Sequence, residues 1–319
     1  MTKYAIIGAG WRAEFYLRIA ALMPDVFSVS GIYIRNQEKR REFSKKYSVL
    51  IVDNLEDLLH TEYDFVVSCV SKESIGDVAR MLANRGIAVL TETPVMDANI
   101  KGKIQVAEQF HLMPRNQAYK SIIDSGILGE VHQVQLSCCH DYHAASLIRF
   151  FLDTKGEMPK KTVLTLPDKV SRYNSRAGYR TPEEIVSEQK VVVLDFGGKS
   201  AIYDFDFEQY FSDIRTSRVV IRGTKGEIVD NTCTYLKDGI VHSFQIQRNC
   251  FGVEESLDGF SLVNITGNGT VWYNNPFKNA RLSDEEIAIA SCLKKMKEYC
   301  VKGNSFYGVK EASCDYLLI

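Results

Sequence analysis

Tyr4-Ala5-Ile6-Ile7 runs directly into Gly8-Ala9-Gly10-Trp11-Arg12-Ala13, and no other stretch restricts the fold as strongly. The four apolar residues show no polar alternation, as in a strand buried on both faces of a parallel sheet. Behind the glycines, Phe15, Ile19 and Leu22 recur at helical spacing. A strand, a G-x-G-x-x-A turn and a helix open a βαβ unit that binds a dinucleotide. Gly8 is expected to make the tight turn. Gly10 would let the backbone approach a pyrophosphate at the helix N-terminus, and Ala13 would allow close helix–strand packing. Trp11 and Arg12 lie in the same turn and join these three as candidate cofactor contacts. A turn with a purely structural role is the competing reading.

A second strand is expected over Val29–Ile34. Its end normally holds an Asp or Glu that binds the ribose of NAD. Here the tip reads Ile34-Arg35-Asn36, followed by Lys39, Arg40 and Arg41. A guanidinium is present where the carboxylate would be. Arg35 suits a 2′-phosphate or an adenine face, which favours NADP and leaves NAD open. Arg40 and Arg41 read as a solvated helix face. Further units follow: a short helix within 53–59, a strand over Asp64–Val70, a helix over Ser74–Arg85 and a strand over Ile87–Leu90. Ligands of such sheets bind beyond the carboxyl ends of the strands, so Val70, Ser71, Glu92 and Thr93 should line the cofactor crevice.

The chain has 319 residues, enough for about two domains. The second half is richer in strand-like runs such as Lys190–Phe196. That shift sets the expected division, a dinucleotide-binding domain over 1–120 and a second domain over 121–319. The fold class of the first domain is therefore α/β, with a doubly wound parallel sheet. A formal net charge of −1 offers no bulk attraction to nucleic acid or anionic lipid. No apolar run reaches the roughly 18 residues that span a bilayer. The first strand starts at once, leaving no room for a signal peptide. Eight scattered cysteines without a Cys-x-x-Cys pair read as reduced thiols of a cytoplasmic protein.

Several pieces recur in a particular order: the glycine turn, the strand at Asp64–Val70, Gly86-Ile87-Ala88-Val89-Leu90-Thr91-Glu92-Thr93-Pro94, then Asp124-Ser125-Gly126-Ile127-Leu128-Gly129-Glu130-Val131. Arg222-Gly223-Thr224-Lys225-Gly226-Glu227 and Tyr307-Gly308-Val309-Lys310-Glu311-Ala312 follow. In this order the chain resembles the glucose–fructose oxidoreductase / inositol dehydrogenase / MocA family over nearly its whole length. The resemblance implies hydride exchange between a nicotinamide and one carbinol carbon of a sugar, cyclitol or related polyol. It also implies that 121–319 is an α+β domain for substrate and oligomerisation with a large, mostly antiparallel sheet, the C-terminal helix being free to pack back on the first domain. The outer face of that sheet would build a homo-oligomer, dimer or tetramer.

The family's lysine in Glu-Lys-Pro is replaced here by Thr93. A threonine hydroxyl donates one hydrogen bond but carries no charge and is no base near neutrality. His143 aligns with the family histidine, because a helix carrying Leu147, Phe150 and Phe151 follows it. The carboxylate expected three residues on is Ser146, and Ile75 stands where a histidine is common. His143 is the candidate acid/base, with Thr93 and Tyr142 as donors to the reacting oxygen. A backbone-bonded histidine at a helix start is the plainer reading of His143, and for His140 that reading is preferred. Cys138, Cys139, His140 and His143 are types that bind zinc, but neighbours on a strand face opposite sides, so no metal is expected. Tyr173, Tyr179 and Arg180, with Tyr210 from a second polar loop, are candidate substrate contacts. A dinucleotide-binding sensor that kept the fold and lost the chemistry is the alternative function.

Overall fold

The computed structural model describes residues 1–251 and 261–319. These form two compact units. The first comprises 1–114, 250–263 and 275–316, and the second 115–249, 264–274 and 317–319. Among the described residues, no helix is long and apolar enough to cross a membrane.

The first unit alternates strands and helices: β1 (Thr2–Ile7), α1 (Trp11–Leu22), β2 (Phe27–Tyr33), α2 (Gln37–Lys46), β3 (Ile51–Val52), α3 (Leu55–Leu59), β4 (Phe65–Ser68), α4 (Ile75–Asn84), β5 (Val89–Thr91) and β6 (Ile104–Val106). The six strands are parallel throughout and lie in the order β3-β2-β1-β4-β5-β6. The order reverses between β1 and β4, which is where such sheets take their ligand. All four residues of β4 and all three of β5 are buried, as central parallel strands require. Asn36 and Asn54 cap α2 and α3 by accepting from the backbone N–H three residues on. Tyr307, Val309 and Ala312, distant in sequence, join the same apolar core as Ile75, Ala79 and Leu82 of α4.

The second unit opens with α5 (Pro114–Asp124). It contains β7 (Val131–Ser137), α6 (Asp141–Leu152), β8 (Lys160–Arg172), β9 (Glu183–Asp195), β10 (Ser200–Asp206), β11 (Arg218–Gly223), β12 (Gly226–Val229), β13 (Thr232–Lys237) and β14 (Ile240–Gln245). Their order is β14-β13-β12-β11-β7-β10-β9-β8, with β7 and β10 the parallel pair. Register pairs Leu194 with Ala201, Ala201 with Val134 and Val134 with Ile221, so these buried residues share one face. The other face is open where Leu164, Leu166 and Val193 are 55%, 45% and 44% exposed. A three-stranded sheet of β15 (Gln247–Phe251), β16 (Ser261–Gly267) and β17 (Thr270–Asn274), then α7 (Asp284–Lys302) and α8 (Val309–Leu318), completes the chain. Ser283 and Glu286 form a reciprocal capping box at the start of α7.

Candidate active site

In the first unit the expected cofactor residues gather beyond the carboxyl ends of β1, β4 and β5. Gly8 has φ +109°, and a Cβ there would lie 2.4 Å from the Cys69 carbonyl oxygen. Only glycine fits, because the chain turns against the end of β4. Gly10 is different: an added Cβ would meet nothing nearer than that same oxygen at 3.8 Å. It starts α1 without offering a side-chain cap, so the head of a 12-residue helix faces the crevice with its backbone. Ala13 is fully buried and Trp11 is 45% exposed. These residues fit the pyrophosphate of a dinucleotide: an open cradle at Gly10 and a positive helix end. Ser71 sits at the mouth, its hydroxyl 3.3 Å from that of Ser74. Val70, just before it, packs against the core.

Arg12 has a role that sequence did not reveal. Its Nε lies 3.2 Å from Glu92 Oε2 and its Nη1 2.7 Å from Glu285 Oε1. The Gln109 amide, oriented with its oxygen toward Arg12, accepts from Nη2 at 3.0 Å. The Tyr16 phenol donates to Glu92 Oε1 at 2.5 Å. Burial opposes the guanidinium charge, but Glu92 and Glu285 outweigh it and hold Arg12 firmly protonated. Burial, and then the Glu92 charge, push the Tyr16 phenol far above its ordinary range. Glu92 is thus held from two sides, and half-buried Thr93 follows it on a cis peptide to Pro94.

At the end of β2, Arg35 is exposed and no carboxylate occupies the strand tip. Arg40 is not the solvated side chain expected. Its Nη2 donates to the Ile34 carbonyl at 2.9 Å and its Nη1 pairs with Asp53 at 2.5 Å. It braces the strand end that presents Arg35. Ile75, where a histidine is common, is buried among the α4 core residues.

In the second unit the expected residues fall into two groups. The first stands where β7 meets α6. His143 is 4% exposed, and its ring centroid lies 4.4 Å from Tyr142 and 4.9 Å from His140. Ser146 donates its hydroxyl to the His143 carbonyl at 2.8 Å. Tyr210, expected from a separate loop, belongs here. Its hydroxyl accepts from the His140 backbone N–H at 2.9 Å and lies 2.8 Å from Nδ1 of the same residue. Asp141 adopts φ +35°, donates its N–H to the Tyr203 hydroxyl at 3.1 Å and accepts from Lys190 at 3.1 Å. Tyr203, and the bond of His140 to Tyr210, were not singled out by sequence, because the partners are 62 and 70 residues apart.

The second group is the hairpin tip between β8 and β9. Tyr173 stacks on Tyr179 with centroids 6.3 Å apart, and its hydroxyl accepts from the Asp213 N–H at 2.6 Å. Arg180 donates its N–H to the Tyr173 carbonyl at 2.9 Å, and Tyr179 is 77% exposed. The opposite-face argument for Cys138 and Cys139 fails. They lie in a bend beyond β7, and their sulfurs are 3.8 Å apart. Among the described residues, no group of three or more His, Cys, Asp or Glu could hold a metal ion.

Residues 2–112 match the oxidoreductase family with an NAD-binding Rossmann fold, Gfo/Idh/MocA. No curated protein sequence matches the chain. Among solved structures, an oxidoreductase from Agrobacterium radiobacter, in complex with NAD+, L-tartaric acid and magnesium, is similar at 16% identity. Its TM-score is 0.66, with 99% of this chain and 94% of that one covered. A myo-inositol dehydrogenase from Corynebacterium glutamicum is similar at 15% identity and TM-score 0.64, covering 100% and 94%. A biliverdin reductase from Synechocystis, in complex with biliverdin and NADP+, follows at 12% identity and TM-score 0.62, covering 99% and 96%. At these identities the likeness is one of fold. The glycine turn lies within the matched stretch, and residues 2–112 are similar to the NAD-binding Rossmann fold of the Gfo/Idh/MocA oxidoreductases.

Proposed function

We propose that this protein is an NAD(P)-dependent oxidoreductase that exchanges hydride with a carbinol or carbonyl carbon of a small sugar-like or polyol-like substrate. The observation that carries the reading is the Gly8–Gly10 turn, closed against Cys69 on one side and open over the head of α1 on the other. Backbone from Gly8 to Ala13 would hold the pyrophosphate, with Arg12 acting through Glu92 rather than on the phosphates. Arg35 would meet the 2′-position of the adenosine ribose, which favours NADP. Val70, Ser71, Glu92 and Thr93 would flank the nicotinamide end. The bound dinucleotide supplies or accepts the hydride.

The rest of the chemistry is proton handling and positioning. His143 takes up the hydroxyl proton in oxidation and returns it in reduction. Thr93 and Tyr142 donate hydrogen bonds to the reacting oxygen. Tyr173, Tyr179, Arg180 and Tyr210 supply aromatic faces, hydroxyls and a guanidinium of the kind polyols and carboxylates bind. The polyol class is supported by the inositol dehydrogenase among the similar folds. The open sheet face bearing Leu164, Leu166 and Val193 suits a homo-oligomer contact, and eight thiols without a disulfide suit the cytoplasm.

One rival has specific support: a dinucleotide sensor without turnover. Thr93 is uncharged, Ser146 spends its hydroxyl on the helix backbone, and Ile75 lies in the core. Fluorescence titration with NADPH and NADH, followed by a turnover screen over sugars, cyclitols and keto-acids, separates the two. Turnover that survives His143→Ala removes His143 from its role. Tight binding with no turnover on any substrate favours the sensor.

A further inference from the structure

Cys138 and Cys139 are sequence neighbours whose sulfurs lie 3.8 Å apart. In a strand their side chains would point to opposite faces. The bend between β7 and α6 turns both thiols to one side. Their environments differ: Cys139 is fully buried and Cys138 is partly exposed. We propose that the pair is a vicinal dithiol that a small-molecule disulfide oxidises reversibly to a Cys138–Cys139 disulfide.

Exchange begins at the accessible sulfur. The Cys138 thiol loses its proton to solvent, and the thiolate attacks one sulfur of the small disulfide. The S–S bond of the reagent breaks, a mixed disulfide forms on Cys138, and one small thiolate leaves and is protonated. Cys139 then loses its proton and attacks the Cys138 sulfur, expelling the second small thiolate. Two cysteine thiols are oxidised, and one small disulfide is reduced to two thiols. A resolving thiol 3.8 Å from an accessible attacking one is the arrangement that lets closure compete with a persistent mixed disulfide. The product joins residues whose Cα atoms are about 3.8 Å apart across a trans peptide. Ordinary disulfides span about 4.4 to 6.8 Å, so the new bond is strained and easily reduced.

The position gives the oxidation a consequence. His140 is the next residue, and its backbone N–H is held by the Tyr210 hydroxyl at 2.9 Å. The Asp141 N–H is held by the Tyr203 hydroxyl at 3.1 Å. The eight-membered ring contains the 138–139 peptide and the Cα of Cys139, so its closure turns the backbone from which the His140 N–H follows, and the bond to Tyr210 is expected to break.

The test uses the folded, full-length protein and oxidised glutathione. After incubation, remaining thiols are capped with N-ethylmaleimide and the digest is read by mass spectrometry. The peptide spanning 138–139 is expected to be lighter by two hydrogen atoms, to carry no maleimide and to recover both thiols in dithiothreitol. Cys139→Ser should instead keep one glutathione on Cys138. A wild-type peptide with two maleimides, or with glutathione retained on Cys138, overturns the proposal. Exchange of the His140 amide should quicken about tenfold on oxidation and revert on reduction. Unchanged exchange with the ring closed would overturn the coupling to Tyr210.

Discussion

Tyr16 donates a 2.5 Å hydrogen bond to Glu92, the residue that immediately precedes Thr93. Arg12 holds the other carboxylate oxygen at 3.2 Å and reaches Glu285 as well. The head of α1, the end of β5 and the start of α7 therefore share one buried polar group. Removing the Tyr16 hydroxyl leaves a buried carboxylate oxygen short of a donor, which costs about 1–3 kcal/mol. Arg12→Met strands two carboxylates and is expected to cost about 3–5 kcal/mol, the range for breaking a buried ion pair. Urea unfolding of Tyr16→Phe and Arg12→Met reads both. Equal and negligible losses would mean that the network does not hold Glu92.

The two glycines of the turn should fail in different ways. Gly8→Ala puts a Cβ into the Cys69 carbonyl at a positive φ and should lower stability by about 1–3 kcal/mol. Gly10→Ala has room in the fold but adds bulk where a phosphate would approach. Its stability should stay close to wild type while NADPH affinity drops about tenfold, or about 1.4 kcal/mol. Melting curves and fluorescence titrations on the same two variants separate the effects.

Arg35 is expected to choose the cofactor. A charge-assisted bond to a phosphate is worth about 1.5–3 kcal/mol, so Arg35→Ser should weaken NADPH binding by about 10- to 100-fold. NADH binding should change little. Isothermal titration of both nucleotides measures the ratio, and an unchanged ratio would remove Arg35 from the 2′-site.

Alkaline stability carries a signature of Tyr119. This fully buried phenol donates to the Asp230 carbonyl at 2.8 Å and accepts from Arg115. Its pKa is pushed from 10.0 up to about 12 by burial, with Arg115 pulling down and Asp230 adding to the rise. The folded state keeps the proton that the unfolded state releases. The contribution is therefore complete below pH 10 and is lost as pH climbs toward 12. Its full size is at most about 2–3 kcal/mol. Unfolding free energies of wild type and Tyr119→Phe at pH 8 and pH 11 should converge as pH rises, because the variant has no such proton to lose.

The nucleotide unit was legible because each of its pieces is local. The Gly8 turn, the small Ala13 and the unbroken apolar strands each need only a few neighbouring residues. What lies between distant segments was not legible. Arg12 and Glu285 are 273 residues apart, and Tyr16 and Glu92 are 76 apart. No periodicity links them, so Arg12 read as a phosphate contact. Arg40 read as solvated because its charge is followed by another, whereas the folded chain brings Asp53 and the Ile34 carbonyl to it. Cys138 and Cys139 were placed on a strand that in fact ends at Ser137, and one residue of register reverses an opposite-face argument. Tyr173 and Tyr210 were read as substrate contacts from composition alone, and the fold sets Tyr210 beside His140.

Hydride transfer from this protein's own cofactor site is the central claim, and isotope transfer tests it most directly. The purified protein would be incubated with NADPH deuterated at C4 of the nicotinamide and a panel of keto-sugars, keto-cyclitols and keto-acids, and products read by mass spectrometry. Deuterium is expected on one carbinol carbon of at least one polyol-like product, reduced by about 100-fold or more in His143→Ala, as for loss of a general acid. Saturable NADPH binding with no deuterium in any product would contradict it.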